Sequence, residues 1–220
     1  MSDCSRTLDD VKTLLRAFND TDPQQTKKLY DSWAETYDQD LDLLNYRAPH
    51  LAVDFLDDNF PGAREEVQVL DVACGSGTGG KTGQCQRAGG STLPQADRSL
   101  EPALVGVDCS KGMLDQAAKT GRYQDLRLAL LGSDPLPAQT GGFVCMARGD
   151  HRGSPSEDYG KDLQRELQLM EDEGLWSPAG HKRTLRYMQD PYLSGESIQD
   201  LLTEERFLSG TVYLYQKSIQ

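Results

Sequence analysis

The 220-residue chain carries 35 acidic against 23 basic residues, a formal net charge of -12, which opposes nucleic-acid binding, because that affinity comes mainly from Lys and Arg neutralising phosphates. With 37% hydrophobic residues it holds apolar material for one domain with appendages. No apolar run approaches the roughly 20 residues that cross a bilayer, and the start MSDCSRTLDD lacks the basic and apolar regions of a secretory signal. The expected setting is the cytoplasm, with the nucleus left open. A monomer acting on a small molecule or a protein is expected, with no membrane partner. The five cysteines form no C-x-x-C pair, so neither a disulfide framework nor a metal site is indicated.

In chain order, Thr7 and Asp10 form a capping arrangement ahead of Leu8, Val11, Leu15 and Phe18 at helical spacing. After Asp22-Pro23 a second helix is expected through KKLYDSWAETYDQDLDLL, with Leu29, Trp33 and Tyr37 on one stripe. A third, from Ala48 to Asp58, closes at Asn59-Phe-Pro-Gly62. This helical lead-in, residues 1–62, gives way to β-rich runs at Val67–Val72, Ala103–Asp108, Leu126–Leu131 and Phe143–Ala147. Ser110 caps a helix carrying Met113, Leu114 and Ala117. Another helix is expected from Glu157 to Glu173, with Tyr159, Leu163, Leu167 and Met170 inward and Gly174 at its end. The chain closes on an alternating strand, Gly210–Gln216. Strands alternating with helices over residues 63–220 predict an α/β, Rossmann-like sheet.

A strand that ends in an acid and a glycine turn has a physical use. Glycine lets the backbone approach a ligand, and the following helix presents free N–H groups. The first strand ends in LDVACGSG, Leu70 to Gly77. The second, ALVGVD, ends in Asp108, where a carboxylate can accept both hydroxyls of a ribose. Together with YDSWAETYDQD (Tyr30–Asp40), YRAP (Tyr46–Pro49) and VGVDCSKGMLDQA (Val105–Ala117), these motifs resemble the class I S-adenosylmethionine-dependent methyltransferases.

The resemblance implies S-adenosylmethionine as cofactor. It implies that Asp71, Ala73, Gly75 and Gly77 form the turn beneath its methionine part. Asp108 would take the ribose, Cys109 and Met113 would lie beside the adenine, and Gly132 and Ser133 near its edge. Trp33 and Tyr37 would close over the cofactor, and Arg47 would pair with its carboxylate. Ala73 stands where glycine is commoner, which is tolerable if its φ is negative. Methyl transfer from a sulfonium needs alignment more than acid–base chemistry, and no catalytic residue is identified. Plainer uses exist for the same residues. Trp33 and Tyr37 at i, i+4 suit core packing, Arg47 a surface or capping role, and Asp108 with Ser110 a strand-to-helix turn.

The chain departs from the family pattern twice. Residues 78–102, TGGKTGQCQRAGGSTLPQADRSLEP, are an atypical insert where a helix belongs, rich in glycine and without an apolar stripe. At Thr140-Gly141 a strand and helix of the resembled fold are missing, which implies loss of the central strand and impaired transfer. Gly75 to Thr82 also matches the phosphate loop G-x-x-x-x-G-K-[ST], with Lys81 for phosphates and Thr82 for Mg²⁺. The alternatives to a methyltransferase are therefore a non-catalytic binding protein or isoform of the same fold, and a P-loop NTPase.

Overall fold

The computed structural model describes residues 6–16, 23–60, 62, 68–78, 103–130, 142–151, 154–191 and 206–218. Phe18, Lys81, Thr82, Gly132, Ser133 and nearly all of the insert lie outside these. The chain forms two compact units, Met1–Leu43 with Phe60–Pro137, and Leu44–Asn59 with Ala138–Gln220.

The first unit holds α1 (Leu8–Arg16), α2 (Pro23–Trp33), α3 (Tyr37–Leu43), β1 (Gln68–Val72), β2 (Ala103–Asp108), α5 (Lys111–Lys119) and β3 (Asp125–Leu128). The cap of α1 is reciprocal, as its sequence implies: Thr7 N donates to Asp10 Oδ2 at 2.8 Å, and Asp10 N to Thr7 Oγ1 at 3.3 Å. The three strands lie parallel in the order β1-β2-β3, with Leu70 opposite Val105 and Val105 opposite Asp125. Parallel neighbours need a crossover, and α5 supplies it between β2 and β3. Its buried face, Met113, Leu114 and Ala117, joins Val105 and Val107 in the core.

The single helix expected from Lys27 to Leu44 is broken. Ala34–Thr36 form a turn, closed by Thr36 N donating to Trp33 O at 3.1 Å. Seven residues of unbroken helix would hold Trp33 and Asp40 about 10 Å apart along the axis. The turn instead brings Trp33 Nε1 to 2.7 Å from Asp40 Oδ2. Among the described residues β1 has one ladder partner, β2, so no described strand takes the central position whose loss the sequence implied.

The second unit holds α4 (Ala48–Asn59), β4 (Phe143–Gly149), α6 (Ser154–Asp172), β5 (Trp176–Gln189) and β6 (Phe207–Lys217). Its sheet is antiparallel in the order β4-β6-β5. Leu208, Val212 and Leu214 alternate inward along β6, and Phe55 of α4 packs on Val212 and Leu214. Helix α6 ends as its glycine implies. Gly174 takes φ +67°, with Gly174 N donating to Glu171 O and Leu175 N to Met170 O, a Schellman closure. Strand β5 is not foreshadowed by alternation. Its register shifts at Pro178/Gly180 and Thr184/Met188, and each shift resets the two-residue period that a strand needs to be legible.

Candidate functional site

The site is built at the C-terminal ends of β1 and β2, within the first unit. After Val72 the backbone takes left-handed conformations at Ala73 (φ +56°), Gly75 (φ +54°) and Gly77 (φ +84°). Gly77 also has no room for a side chain, since a Cβ there would stand 2.9 Å from Tyr123 Cε2 and 3.3 Å from Ala117 Cα. Cys74 N donates to Val107 O at 3.1 Å and carries the β1–β2 ladder one step further. The loop therefore turns tightly against β2.

Ala73 corrects one expectation, because its φ is positive. A left-handed conformation costs an ordinary L-residue about 1–2 kcal/mol, whereas glycine adopts it freely at the expense of a more flexible unfolded chain. Ala73→Gly should therefore stabilise the protein by about 0.5–1 kcal/mol in urea denaturation, and the β-branched Ala73→Val should destabilise it.

Asp108 closes the site on the β2 side. Its Oδ2 accepts from Gly75 N at 2.9 Å and its Oδ1 from Ser110 N at 2.8 Å. A carboxylate has about four lone-pair positions, so one on each oxygen remains for a diol. A pocket of about 100 Å3 opens beside it, lined by Ala73, Val107, Asp108, Cys109, Ala129 and Leu130. Apolar walls with one acid suit a flat ring bearing hydroxyls at its edge. The pocket fits part of a nucleoside cofactor rather than all of one.

Asp71 sits one strand away, opposite Gly106. A Cβ on Gly106 would stand 2.9 Å from the Tyr123 ring. Glycine thus leaves room for Tyr123, whose hydroxyl donates to Asp71 Oδ2 at 2.7 Å. Burial pushes the Asp71 carboxyl above its ordinary value, the nearby Asp108 charge adds to this, and the Tyr123 hydrogen bond only partly offsets it. A folded-state pKa above the unfolded one means that ionised Asp71 opposes folding at neutral pH, and this penalty fades as pH falls through the folded pKa. Asp71→Asn, which keeps an acceptor for Tyr123, should raise the melting temperature at pH 7 by about 2–4 °C. The gain should shrink in melts taken towards pH 4, roughly the ordinary carboxylate range.

Two acids of the lead-in tie it to this site. Asp31 Oδ1 accepts from Ser110 Oγ at 2.6 Å and from Gly112 N at 3.0 Å, while Lys27 Nζ reaches its other oxygen at 2.9 Å. Burial alone would raise the Asp31 carboxyl, but these donors outweigh it and hold it at about 2. A side chain on Gly112 would stand 2.8 Å from Asp31 O, so glycine permits this close approach of α2 to α5. Asp38 Oδ1 accepts from Ser76 Oγ and from Thr78 Oγ1, the latter at 3.2 Å. Ser76 is buried. The N-terminus of α5 and the glycine loop are thus each held by a carboxylate from YDSWAETYDQD.

The remaining expected site residues divide. Tyr37 lies over the loop, its Cε1 at 3.8 Å from where a Gly75 Cβ would stand, and its ring meets Trp33 edge-on with centroids 4.7 Å apart. Trp33 is buried and its indole N–H is committed to Asp40. Met113 is 1% exposed, inside the core rather than along the pocket. Cys109 lines the pocket, and burial pushes its thiol up. Arg47 is exposed and belongs to the second unit, where its N–H donates to Tyr187 O at 2.9 Å and its carbonyl accepts from Leu51 N at the start of α4. Gly132 and Ser133 lie outside the described residues. The contributions of Asp31, Asp38, Ser76 and Tyr123 were not anticipated. For Asp31, Asp38 and Ser76 the signal was the run of acids inside the aromatic motif, with hydroxyls at Ser76, Thr78 and Ser110 able to donate to it.

No family model matches the chain. It is 42% identical over 138 residues to human methyltransferase-like protein 27, across 62% of this chain and 51% of that protein, so the chain spans about half the length of the curated relative it matches. Among solved structures, it is similar to the methyltransferase complexed with the Haloferax volcanii Trm112 methyltransferase activator, with a TM-score of 0.51 and 12% identity over 88% of this chain and 98% of that one. A weaker likeness, TM-score 0.44 at 11% identity, covers 96% of this chain and 98% of the plantazolicin methyltransferase BpumL, solved with SAH. By sequence the chain is similar to methyltransferase-like protein 27, and it shares the Rossmann-like α/β fold of the solved Haloferax volcanii methyltransferase.

Proposed function

We propose that the chain binds S-adenosylmethionine at the ends of β1 and β2 and belongs to methyl-transfer chemistry on a small-molecule or protein acceptor. The observation that carries this reading is the Asp108 carboxylate. It is oriented by Gly75 N and Ser110 N, retains an acceptor position on each oxygen, and faces an apolar pocket. Asp108 would take the ribose hydroxyls, Cys109, Ala129 and Leu130 would flank the adenine, and the left-handed loop at Ala73–Gly77 would admit the methionine part. When bound, the cofactor supplies an already activated methyl group. The protein's work is to hold it and exclude water.

Binding and turnover separate in this reading. The sequence lacks the strand-and-helix unit before Phe143 that the resembled fold places beside the methyl group, which supports retained binding with reduced transfer. The cytoplasm and a monomeric state are proposed on composition alone. No helix among the described residues is long and apolar enough to cross a membrane. Isothermal titration with S-adenosylmethionine and S-adenosylhomocysteine should show saturable one-site binding. Absence of heat for either ligand up to about 1 mM, a free energy of only about -4 kcal/mol, would overturn the reading.

A further inference from the structure

A second cleft, wholly within the second unit, lies between the end of β4 and the N-terminal half of α6. It is a shallow, open groove of about 310 Å3 lined by Arg148, Asp150, His151, Gly160, Lys161 and Gln164. In a chain of net charge -12, this lining places two cations, Arg148 and Lys161, beside the side-chain amide of Gln164. Its one acid, Asp150, is shared between Ser209, Arg183 and the cleft's own Arg148. Asp150 Oδ2 accepts from Ser209 Oγ at 2.6 Å and lies 3.6 Å from the Arg183 guanidinium, while Oδ1 stands 4.0 Å from Arg148 Nη1. Lys161 keeps a pair with Asp158 at 3.3 Å, both side chains about 70% exposed, a kind of contact worth little in water.

Gly160 gives the cleft its shape. It sits inside the 19-residue helix α6, where glycine is less favourable than alanine. A Cβ there would stand 2.6 Å from Arg148 Nη2 and 3.1 Å from its Cζ. The missing side chain leaves room for the guanidinium to sit against the helix. A planar guanidinium beside a flexible ammonium is the pairing that recognises carboxylate and phosphate oxygens.

We propose that this cleft is a binding site for a small molecule bearing a carboxylate or phosphate group, held by Arg148 and Lys161 with Gln164 donating at its edge. The inference does not depend on the cofactor reading, because every residue in it belongs to the second unit. Gly160→Ala is the discriminating variant. It keeps every charge and favours the helix, yet displaces the guanidinium.

Titration calorimetry on the full chain with citrate, and separately with inorganic phosphate, should give saturable binding with a Kd of about 5 mM or tighter for one of them, about -3 kcal/mol or better. Gly160→Ala should weaken that binding at least about fivefold while raising the melting temperature, and Lys161→Gln should weaken it by a similar factor. Lys182→Gln, which removes one exposed positive charge from β5 outside the cleft, should change it less than about twofold. A response to citrate alone would assign carboxylates, and a response to phosphate alone would assign phosphates. No saturable binding of either anion would overturn the proposal. So would equal losses in Lys161→Gln and Lys182→Gln, or a Gly160→Ala protein that binds as well as the parent.

Discussion

Asp108→Ala should lower affinity for S-adenosylhomocysteine at least about a hundredfold, because hydrogen bonds to a charged acceptor contribute about 1.5–3 kcal/mol each and two to the ribose would be lost. The substitution has a second effect. Gly75 N and Ser110 N now donate to this carboxylate, and both would lose their acceptor, so the loop and the start of α5 should loosen. Asp108→Asn separates the two effects. Its amide keeps one acceptor oxygen but sets an NH2 group against one of the two backbone donors, so affinity should fall about tenfold or more with a smaller loss of stability. Calorimetric titration beside thermal melts checks both variants. Asp115→Ala serves as the control, since Asp115 is an exposed acid on α5 paired with Lys111 at 2.8 Å, and it should leave affinity unchanged. If Asp108→Ala binds within about threefold of the parent, equivalent to under about 1 kcal/mol, the ribose assignment collapses even if the cofactor still binds.

The parts of this site legible in the sequence are those fixed by backbone chemistry. A β-rich run ending in an acid and closely spaced glycines encodes a turn, and Ser110 before Met113 encodes a helix start; both occur where expected, with Met113 N donating to Ser110 Oγ at 3.2 Å. What stayed hidden depends on side chains that meet across long stretches of sequence. Asp31 and Ser110 are 79 residues apart, and Asp38 and Ser76 are 38 apart. Periodicity carries no trace of such pairs. It also misled at Trp33 and Tyr37, whose i, i+4 spacing reads as one helix face although a turn lies between them. In the second unit β4 and β6 were legible because apolar runs or alternation persist along them. Strand β5 was not, because its register shifts and its exposed face, including His181, Lys182 and Arg183, leave little apolar pattern to follow.

The same turn at Ala34–Thr36 sets up the largest expected loss of stability. Asp40 is fully buried, and its carboxylate accepts from Arg6 Nε at 2.9 Å, from Arg6 Nη2, from Trp33 Nε1 at 2.7 Å and from Thr36 Oγ1 at 3.3 Å. Asp40→Ala would strand a half-buried guanidinium and a buried indole N–H, and breaking such a pair from one side costs about 3–5 kcal/mol. For a chain of this size, that corresponds to a fall in melting temperature of roughly 6–20 °C. Asp40→Asn should cost less, since an amide oxygen can still accept from Trp33. Burial alone would raise the Asp40 carboxyl, but Arg6, Trp33 and Thr36 outweigh it and hold it below the usual range. A lowered folded pKa means that this contribution is present in full above the unfolded value of about 3.9 and is lost as pH falls through the folded one. Urea denaturation should therefore show the parent losing its advantage over Asp40→Asn as pH drops below about 4. A constant difference between the two across that range would mean that Asp40 stabilises the lead-in by shape rather than by charge. Because Trp33 and Tyr37 touch, and Tyr37 lies over Gly75, weakening Asp40 should also weaken cofactor affinity, although Asp40 itself lies outside the pocket.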